Sequence, residues 1–304
     1  MTIFQKPLFL GVANAKKVCK ISDIMTGKVA IVTGGNKGIG FGIVKGLCEK
    51  FVGTVYLTAR DVGRGEAAVA DLKKSGLNAE FQQLDVTDPE SVKRFGDYIK
   101  EKHGGIDVLV NNAAIAFKND ATEPFAVQAK ETTFVNYFSL VSTCNILFPL
   151  LRENARVVNL SSSGGHLTRI PGEDLRKKFA DPALTEPALS ALVKEFVAAA
   201  EKGTSKNREY GPKGISINCV HPGYVDTDMT SHKGPFTVER GSVAALYLAL
   251  EAPADVKGVY MWHDKSIHEI NSKSLRTGCF KKFDGFIKYL KLIFTFCVSS
   301  IQVL

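Results

Sequence analysis

A glycine-rich loop between an apolar run and an amphipathic stretch most constrains the fold of this 304-residue chain. The apolar run at 29–32 predicts a buried strand, and the stretch at 39–49 predicts a helix. Between them stands Thr33-Gly34-Gly35-Asn36-Lys37-Gly38-Ile39-Gly40. Glycines at this junction permit a tight turn, and the amino terminus of the helix offers N–H groups and partial positive charge to an anion. The unit therefore predicts a phosphate-binding loop, with an ordinary turn as the alternative.

The same alternation of strand and helix continues along the chain. Apolar runs predict strands at 54–57, 81–84, 108–110, 157–160, 215–220 and 258–262, and amphipathic stretches predict helices at 64–74, 88–102, 129–151, 188–202 and 238–251. Continuous Val/Ile/Leu strands separated by helices indicate a parallel sheet covered on both faces. Right-handed crossovers then give an α/β, doubly wound, Rossmann-type sheet in a single domain, with its ligand at the carboxyl ends of the strands.

The glycine loop predicts the contacts of a dinucleotide. Gly34 permits the turn, Gly38 lets the backbone approach a pyrophosphate, and Gly40 lets the helix pack closely. Asn36 and Ile39 complete the predicted loop contacts.

The end of the second strand distinguishes two nicotinamide cofactors. About 20 residues after the glycines, an acid would bind the ribose hydroxyls of NAD, but this strand ends in Arg60-Asp61. Arg60, with Lys37 as a second cation, suits the 2′-phosphate of NADP. Asp61 falls one position late and supports NAD as the competing interpretation, while surface charge alone is the structural alternative. The sequence favours NADPH.

Charge and cysteine usage exclude other classes of partner. The formal net charge is +8, of which residues 1–24 carry +3 and residues 271–304 carry +5, so the part between them is neutral. Solvated basic tails explain this distribution better than a nucleic-acid-binding face. Six cysteines without Cys-x-x-Cys spacing or a His-rich cluster predict no metal site and a reducing, cytoplasmic compartment.

Both termini carry short apolar stretches. Residues 7–15 resemble a signal peptide only weakly, and the nearby lysines leave a mitochondrial presequence open. Residues 292–304 are uncharged but shorter than the roughly 20 residues that a membrane-spanning helix needs. We therefore expect no membrane attachment, with an anchor formed by the C-terminal tail as the alternative.

Five spaced motifs resemble the short-chain dehydrogenase/reductase family, and within it the monomeric NADPH-dependent carbonyl reductases. They are the glycine loop at 33–40, Leu57-Thr58-Ala59-Arg60-Asp61, Leu84-Asp85-Val86, the stretch 107–114 and Pro222-Gly223-Tyr224-Val225-Asp226-Thr227. The resemblance covers residues 25–270, which we take as one NADP-binding domain between an N-terminal extension (1–24) and a basic, apolar C-terminal tail (271–304). It implies a monomer that transfers hydride from NADPH to ketones, aldehydes or quinones.

The resemblance also assigns residues by position. Asp85 is expected at the adenine edge and Asn112 at the adenosine ribose. Val225 and Thr227 are expected at the nicotinamide amide and the pyrophosphate. The implied catalytic residues are Ser162, which hydrogen-bonds the substrate carbonyl, and Asn136, which organises a proton-relay water.

The family's proton donor is not found where the family carries it. That donor is a tyrosine followed four residues later by lysine, on the crossover helix before the strand at 215–220. Only residues 203–213 separate this strand from the helix at 188–202, and the nearest imitation, Tyr210 and Lys213, has the wrong spacing. We interpret the Tyr-x-x-x-Lys pair as absent, with a segment of about 25 to 30 residues lost, the length of a helix and its loops.

This loss leaves an alternative to an active reductase. The chain would then be a non-catalytic NADP-binding protein or an unstable splice variant. Without its crossover helix, one face of the sheet loses apolar cover unless the helix at 188–202 replaces it.

Overall fold

The computed structural model describes residues 27–118, 121–162, 173–181, 183–201, 216–253, 256 and 259–268. They form one eight-stranded sheet in the order β3-β2-β1-β4-β5-β6-β7-β8. The strands are β1 (Val29–Val32), β2 (Thr54–Ala59), β3 (Glu80–Gln83), β4 (Ile106–Asn111), β5 (Leu151–Leu160), β6 (Ser216–His221), β7 (Tyr260–Trp262) and β8 (Ile267–His268). The first seven pair in parallel, and β8 pairs antiparallel with β7. Both predicted tails, 1–24 and 271–304, lie outside the described residues.

Helices cover both faces of this sheet. One face packs against α1 (Gly38–Lys50), α2 (Val62–Lys74) and α8 (Val238–Leu246). The other packs against α3 (Pro89–His103), α4 (Phe125–Thr133), α5 (Leu140–Leu147), α6 (Glu173–Ala180) and α7 (Glu186–Ala200). The prediction of a doubly wound parallel sheet is confirmed. The strand order reverses between β1 and β4, which opens a crevice at their carboxyl ends.

Helix α7 covers the face of the sheet that was predicted to lose its apolar cover unless this helix replaced the missing one. Leu189, Val193 and Phe196 of α7 are buried in the same apolar cluster as Cys219 of β6 and Tyr260 of β7. The sheet is therefore closed on this side by the helix that the sequence named as a replacement.

The long helix before β5 begins earlier than expected. It runs over Phe125–Leu150, with a π-helical turn at Phe134–Ser139 between α4 and α5, whereas the sequence predicted a start at 129. Pro124 stands at its N-cap, and Gln128 Nε2 donates a 2.8 Å hydrogen bond back to the Glu123 carbonyl. This local cap adds a first turn that the apolar periodicity did not reveal.

This helix is long and apolar enough, by length and composition, to cross a membrane. Its buried residues, among them Tyr137, Cys144 and Leu147, lie in the cluster beneath the sheet. The helix therefore owes its hydropathy to a core position, and among the described residues it alone meets that length and composition.

Three buried asparagines lie on neighbouring strands: Asn111 of β4 and Asn159 of β5 share one face of the sheet, and Asn218 of β6 lies on the other face. Asn111 of β4 donates through Nδ2 to Asn159 Oδ1 of β5 at 2.8 Å, and Asn159 Nδ2 reaches the Asn218 carbonyl of β6 at 3.4 Å. Asn218 Nδ2 in turn donates to the Val256 carbonyl at 3.1 Å. The Asn111–Asn159 contact joins two amide side chains across β4 and β5, and we call it the asparagine pair. Burying an amide is costly unless it is hydrogen-bonded, so this contact favours the alignment of the two strands.

Candidate active site

The glycine loop is fastened to the end of β4. Thr33 Oγ1 accepts hydrogen bonds from the N–H groups of Asn112 and Ala113, both at 3.0 Å. Asn112 Nδ2 donates to the carbonyls of Thr33 at 2.9 Å and Gly34 at 3.0 Å. A Cβ on Gly40 would come within 2.4 Å of Asn112 Nδ2 and 2.5 Å of the Gly34 oxygen. The close approach of α1 to this loop therefore requires glycine at position 40.

The same loop presents the amino terminus of α1 to the crevice. Gly34 and Gly38 have φ of 62° and 56°, the left-handed region that glycine adopts without strain. Lys37 stands at the N-cap and makes no side-chain cap hydrogen bond, so no N-cap side chain takes up the first N–H groups of the helix. Asn36 and Ile39 are half-buried beside it. These features fit an anionic group at the helix terminus.

Arg60 and Asp61 have different surroundings at the end of β2. Arg60 is exposed, and its carbonyl accepts a 3.1 Å hydrogen bond from Gln83 Nε2. Asp61 is the N-cap of α2, where its Oδ1 accepts from the Arg64 N–H at 2.8 Å and its Oδ2 pairs with the Arg64 guanidinium at 3.2 Å. The hydrogen bond from the Arg64 N–H holds the pKa of Asp61 below its usual range. Helix capping thus accounts for Asp61, and the competing NAD interpretation loses its main support.

Asp85 lies in the turn between β3 and α3. Its Oδ1 accepts hydrogen bonds from Thr87 N–H at 2.9 Å and from Thr87 Oγ1 at 2.6 Å. The Asp85 N–H donates to Ser91 Oγ at 3.1 Å. An Asx-turn of this kind fixes the carboxylate beside the carboxyl end of β3.

Asn136 lies on the π-helical turn of the long helix. It is buried, and it clamps Ile115 on both sides: its Oδ1 accepts from the Ile115 N–H at 2.9 Å, and its Nδ2 donates to the Ile115 carbonyl at 2.8 Å. Ser139 Oγ donates to the Phe134 carbonyl, five residues back, at 2.9 Å. Such π-turns are frequent at functional sites because they redirect side chains from the helical register. This one ties the helix to the loop that follows β4.

Ser162 follows the carboxyl end of β5 and is half-buried. The N–H of the preceding residue, Ser161, donates to the Val220 carbonyl of β6 at 2.8 Å. This hydrogen bond holds the chain against β6 at the point where it leaves the sheet. Ser162 therefore lies at the same edge as the glycine loop.

Val225 and Thr227 lie on the segment that leaves β6. Val225 is buried against α8, where a Cβ on Gly241 would come within 2.5 Å of its side chain. Thr227 is the N-cap of the 3-10 turn Asp228–Thr230. Gly38 faces it across the crevice, since a Cβ there would lie 3.3 Å from Thr227 Cγ2. The fold thus brings the glycine loop and the predicted nicotinamide segment together.

Comparisons with known proteins agree with this arrangement. The family model described as short chain dehydrogenase matches residues 28–172. Carbonyl reductase (NADPH) 3 of Mus musculus is 41% identical over 256 residues, covering 74% of this chain and 92% of the relative. Carbonyl reductase (NADPH) 1 of Sus scrofa is 39% identical over 261 residues, covering 76% of this chain and 89% of the relative.

A solved structure shows the same family resemblance. Salutaridine reductase from Papaver somniferum superposes with a TM-score of 0.67 at 31% sequence identity, over 76% of this chain and 97% of that chain. This chain belongs to the short-chain dehydrogenase family.

The matched region is shorter here than in these members of the short-chain dehydrogenase family. The alignment with the mouse relative spans 256 residues, whereas 74% of 304 residues is about 225, so the relative has about 30 residues more over the same stretch. This difference agrees with the segment of about 25 to 30 residues that the sequence predicted to be lost.

Helix α7 does not supply the missing proton donor. Ser190 and Lys194 have the four-residue spacing of the short-chain dehydrogenase pair, but a serine stands in place of tyrosine. Ser190 Oγ donates to Glu186 Oε1 at 2.6 Å and lies 3.2 Å from the hydroxyl of Tyr137. Burial raises the pKa of Tyr137, which makes this phenol a poor acid. Tyr210 and Lys213 lie outside the described residues.

A Tyr-x-x-x-Lys pair nevertheless occurs elsewhere, and the sequence-based statement that the pair is absent holds only for the catalytic position. Tyr98 and Lys102 lie on α3, with Lys102 Nζ 2.9 Å from the Tyr98 hydroxyl. Burial raises the pKa of Tyr98, but hydrogen bonds from Lys102 and Tyr56 lower it overall. Lys102 also pairs with Glu80, the first residue of β3, at 2.6 Å. This pair therefore lies at the amino edge of the sheet, opposite the cofactor crevice.

The structure adds residues that the sequence did not single out at the crevice. Asp228 pairs with Lys37, and His232 contacts both Asp226 and Asp228. These residues follow the motif at 222–227 directly, so the adjacent charges were the available signal. Among the described residues, no group of three His, Cys, Asp or Glu side chains is placed to hold a metal ion.

Proposed function

We propose that this protein is an NADPH-dependent reductase that converts ketones, aldehydes or quinones to alcohols or hydroquinones. The observation that carries the proposal is the glycine loop, held against β4 so closely that Gly40 tolerates no side chain. Relatives named carbonyl reductase (NADPH), about 40% identical over most of their length, support the same activity. Arg60 and Lys37 supply the cations for a 2′-phosphate, which favours NADPH over NADH.

The nicotinamide, when bound, supplies a hydride to the carbonyl carbon of the substrate. The chain's own groups bind and orient the two molecules. Asp85 and Asn112 border the adenosine half, and Val225 and Thr227 border the other half of the crevice. Ser162 donates a hydrogen bond to the carbonyl oxygen, where negative charge develops during reduction. Asn136 keeps the loop after β4 in place through Ile115.

Proton delivery is the step for which the chain lacks the family's group. A positioned acid contributes about 10²- to 10⁴-fold to the rate of such a step. Solvent must supply this proton here, so carbonyls that need a strong acid should react slowly. Quinones accept hydride more readily, and we propose them as the preferred substrates of this chain.

A non-catalytic, NADP-binding role is the second candidate function. The observation that favours it is the missing Tyr-x-x-x-Lys pair at the catalytic position. The cover that α7 gives to the sheet argues against the unstable form of this alternative.

One assay distinguishes the two functions. The purified full-length chain is titrated with NADPH by fluorescence, and NADPH oxidation is measured with a quinone, an aldehyde and a ketone. We expect binding, turnover fastest with the quinone, and a loss of about 10- to 100-fold in kcat for Ser162→Ala without loss of NADPH affinity. Binding without any turnover would favour the second function, and failure to bind NADPH would contradict both.

The finer parts of the proposal concern assembly and compartment. We propose a monomer, because the five motifs resemble the monomeric carbonyl reductases, and a cytoplasmic location, because the cysteines suit a reducing compartment. Sedimentation equilibrium of the purified chain tests the oligomeric state, and fractionation of cells that express the full chain tests the compartment. A stable dimer or a membrane-bound fraction would contradict them.

A further inference from the structure

Charged side chains connect the two walls of the proposed cofactor crevice. Lys37, on the glycine loop, pairs with Asp228, the first residue of the 3-10 turn after β6. His232 Nδ1 lies 2.7 Å from Asp226 Oδ1, and its Nε2 lies 3.2 Å from Asp228 Oδ1. We call the first of these contacts the Lys37–Asp228 bridge. It spans the gap at which a Cβ on Gly38 would lie 3.3 Å from Thr227 Cγ2.

The turn that carries Asp228 is held by its own hydrogen bonds. Thr230 Oγ1 donates to the Val225 carbonyl at 2.6 Å and accepts from the Thr227 N–H at 3.1 Å. The next two residues, Ser231 and His232, have φ of 51° and 56°. Two successive non-glycine residues in the left-handed region are uncommon and persist where the surroundings hold them. The carboxylate of Asp228 is thus fixed at the mouth of the crevice.

The bridge sets up a competition for one cation. The hydrogen bond from Lys37 holds the pKa of Asp228 below its usual range, so this carboxylate is charged at neutral pH. The 2′-phosphate of NADPH would reach the same lysine, because Lys37 and Arg60 are the two cations proposed to bind it. The side chains of Lys37 and Asp228 are 60% and 59% exposed, so water screens the bridge and an incoming anion can displace the carboxylate.

We propose that Asp228 is a specificity-determining residue that competes with the 2′-phosphate of the cofactor for Lys37. This inference rests on the proposed function, because it assumes that the crevice binds NADPH. A dinucleotide with a 2′-phosphate must open the Lys37–Asp228 bridge to use the lysine, whereas NADH leaves the bridge closed. Asp228 therefore weakens NADPH binding selectively and favours the release of NADP⁺ after each turnover.

Dissociation constants for NADPH and NADH test this competition in the full-length chain. We expect Asp228→Asn to tighten NADPH binding about three- to fivefold, the range of an exposed ion pair, and to leave NADH within about 1.5-fold. Asp226→Asn is the matched control, because it removes one negative charge from the same turn without a contact to Lys37. It should leave the NADPH-to-NADH affinity ratio unchanged.

A double substitution tests whether the effect of Asp228→Asn on the affinity ratio depends on Lys37. In Lys37→Met, the further substitution Asp228→Asn should no longer change the affinity ratio, because no cation remains to be released. Equal tightening of both cofactors, an altered ratio in Asp226→Asn, or a persistent effect without Lys37 would each overturn the inference and indicate general repulsion. Wild-type protein that binds neither dinucleotide would overturn the proposed function itself, whereas normal binding with an unchanged ratio in Asp228→Asn would overturn the inference alone.

Discussion

The two halves of the carboxyl edge of the sheet are built in different ways. Beside β1, β2 and β4, the proposed cofactor groups stand within a few residues of a strand end, as Gly34, Arg60 and Asn112 do. Beside β5 and β6, the family's proton donor would stand on a crossover helix, and this chain carries no such pair there. A site made of strand ends persists as long as the sheet does. A site carried on a helix can be lost while the fold remains, provided that another helix covers the core.

A substitution that weakens the packing of α7 against the sheet should have the largest effect, measured as a loss of stability. Phe196 is buried, and its ring stands edge-on to Phe125 with centroids 6.5 Å apart. We expect Phe196→Ala to lower the free energy of unfolding by about 3–5 kcal/mol, measured by urea denaturation. Glu195→Ala, on an exposed position of the same helix, should change it by less than about 0.5 kcal/mol. Equal stabilities for the two variants would show that α7 does not close the sheet.

A side chain at position 40 tests the half of the carboxyl edge that lies beside β1, β2 and β4. Gly40→Val places methyl groups where Asn112 Nδ2 and the Gly34 oxygen already stand, and overpacking of this kind costs about 1–3 kcal/mol. We expect NADPH affinity to fall by about 10- to 100-fold in a fluorescence titration. Gly63→Ala is the control, because a Cβ there meets only Asp61 Oδ1, at 3.7 Å. If Gly40→Val bound NADPH normally, the loop would not be the cofactor site.

Two histidines at opposite edges should give stability opposite dependences on pH. Burial lowers the pKa of His103, whose Nε2 lies 2.8 Å from the Tyr56 hydroxyl, so folding favours its neutral form. Its contribution should be lost as the pH falls below about 6.5, the ordinary pKa of histidine, towards the lowered value. The hydrogen bond to Asp226 raises the pKa of His232, so its contribution is present at acid pH and is lost as the pH rises.

Urea unfolding of two variants between about pH 7.5 and pH 5 separates these effects. We expect His103→Gln to flatten the loss of stability on the acid side and His232→Gln to steepen it. The same slope in both variants would contradict the assignment of opposite linkages to the two edges.

The smallest effect is expected at the second tyrosine–lysine pair. Tyr98→Phe removes the hydroxyl that Lys102 contacts, but this hydroxyl lies at the amino edge of the sheet. We expect kcat and KM for the quinone to stay within about twofold of wild type, because the variant leaves the crevice unchanged. A large loss of kcat would show that α3 takes part in proton delivery, and the contrast between the two halves would fail.

The sequence predicted the first half of the chain better than the second, for physical reasons. Buried strands such as β1 and β4 are continuous apolar runs, and Asp88 marks the start of α3 as the N-cap, where its Oδ1 accepts from the Glu90 N–H at 3.0 Å. Short elements such as α6 and β8 were missed, because α6 is largely polar and β8 has two residues. Their structure depends on neighbours far away in the sequence.

The site residues, like the helices and strands, were predicted where the local sequence determines their position and missed where distant contacts do. Local motifs placed Gly40, Asn112 and Ser162 at the carboxyl edge, because each stands close to a strand end. The contact between Lys37 and Asp228 joins residues 191 positions apart, and no local pattern predicts such a pair. The role of Asn136 also depends on a π-turn that a 3.6-residue periodicity does not reveal.

The asparagine pair ties the register of β4 to that of β5. Asn111 meets Asn159 only when the two strands are aligned residue for residue, and a slip by one position would turn one of the two amides to the opposite face. That amide would then lie in an apolar layer with no partner, at a penalty of about 1–3 kcal/mol. The penalty disfavours a slipped sheet, in which Asn112 and Ser162 would stand at the wrong height relative to each other.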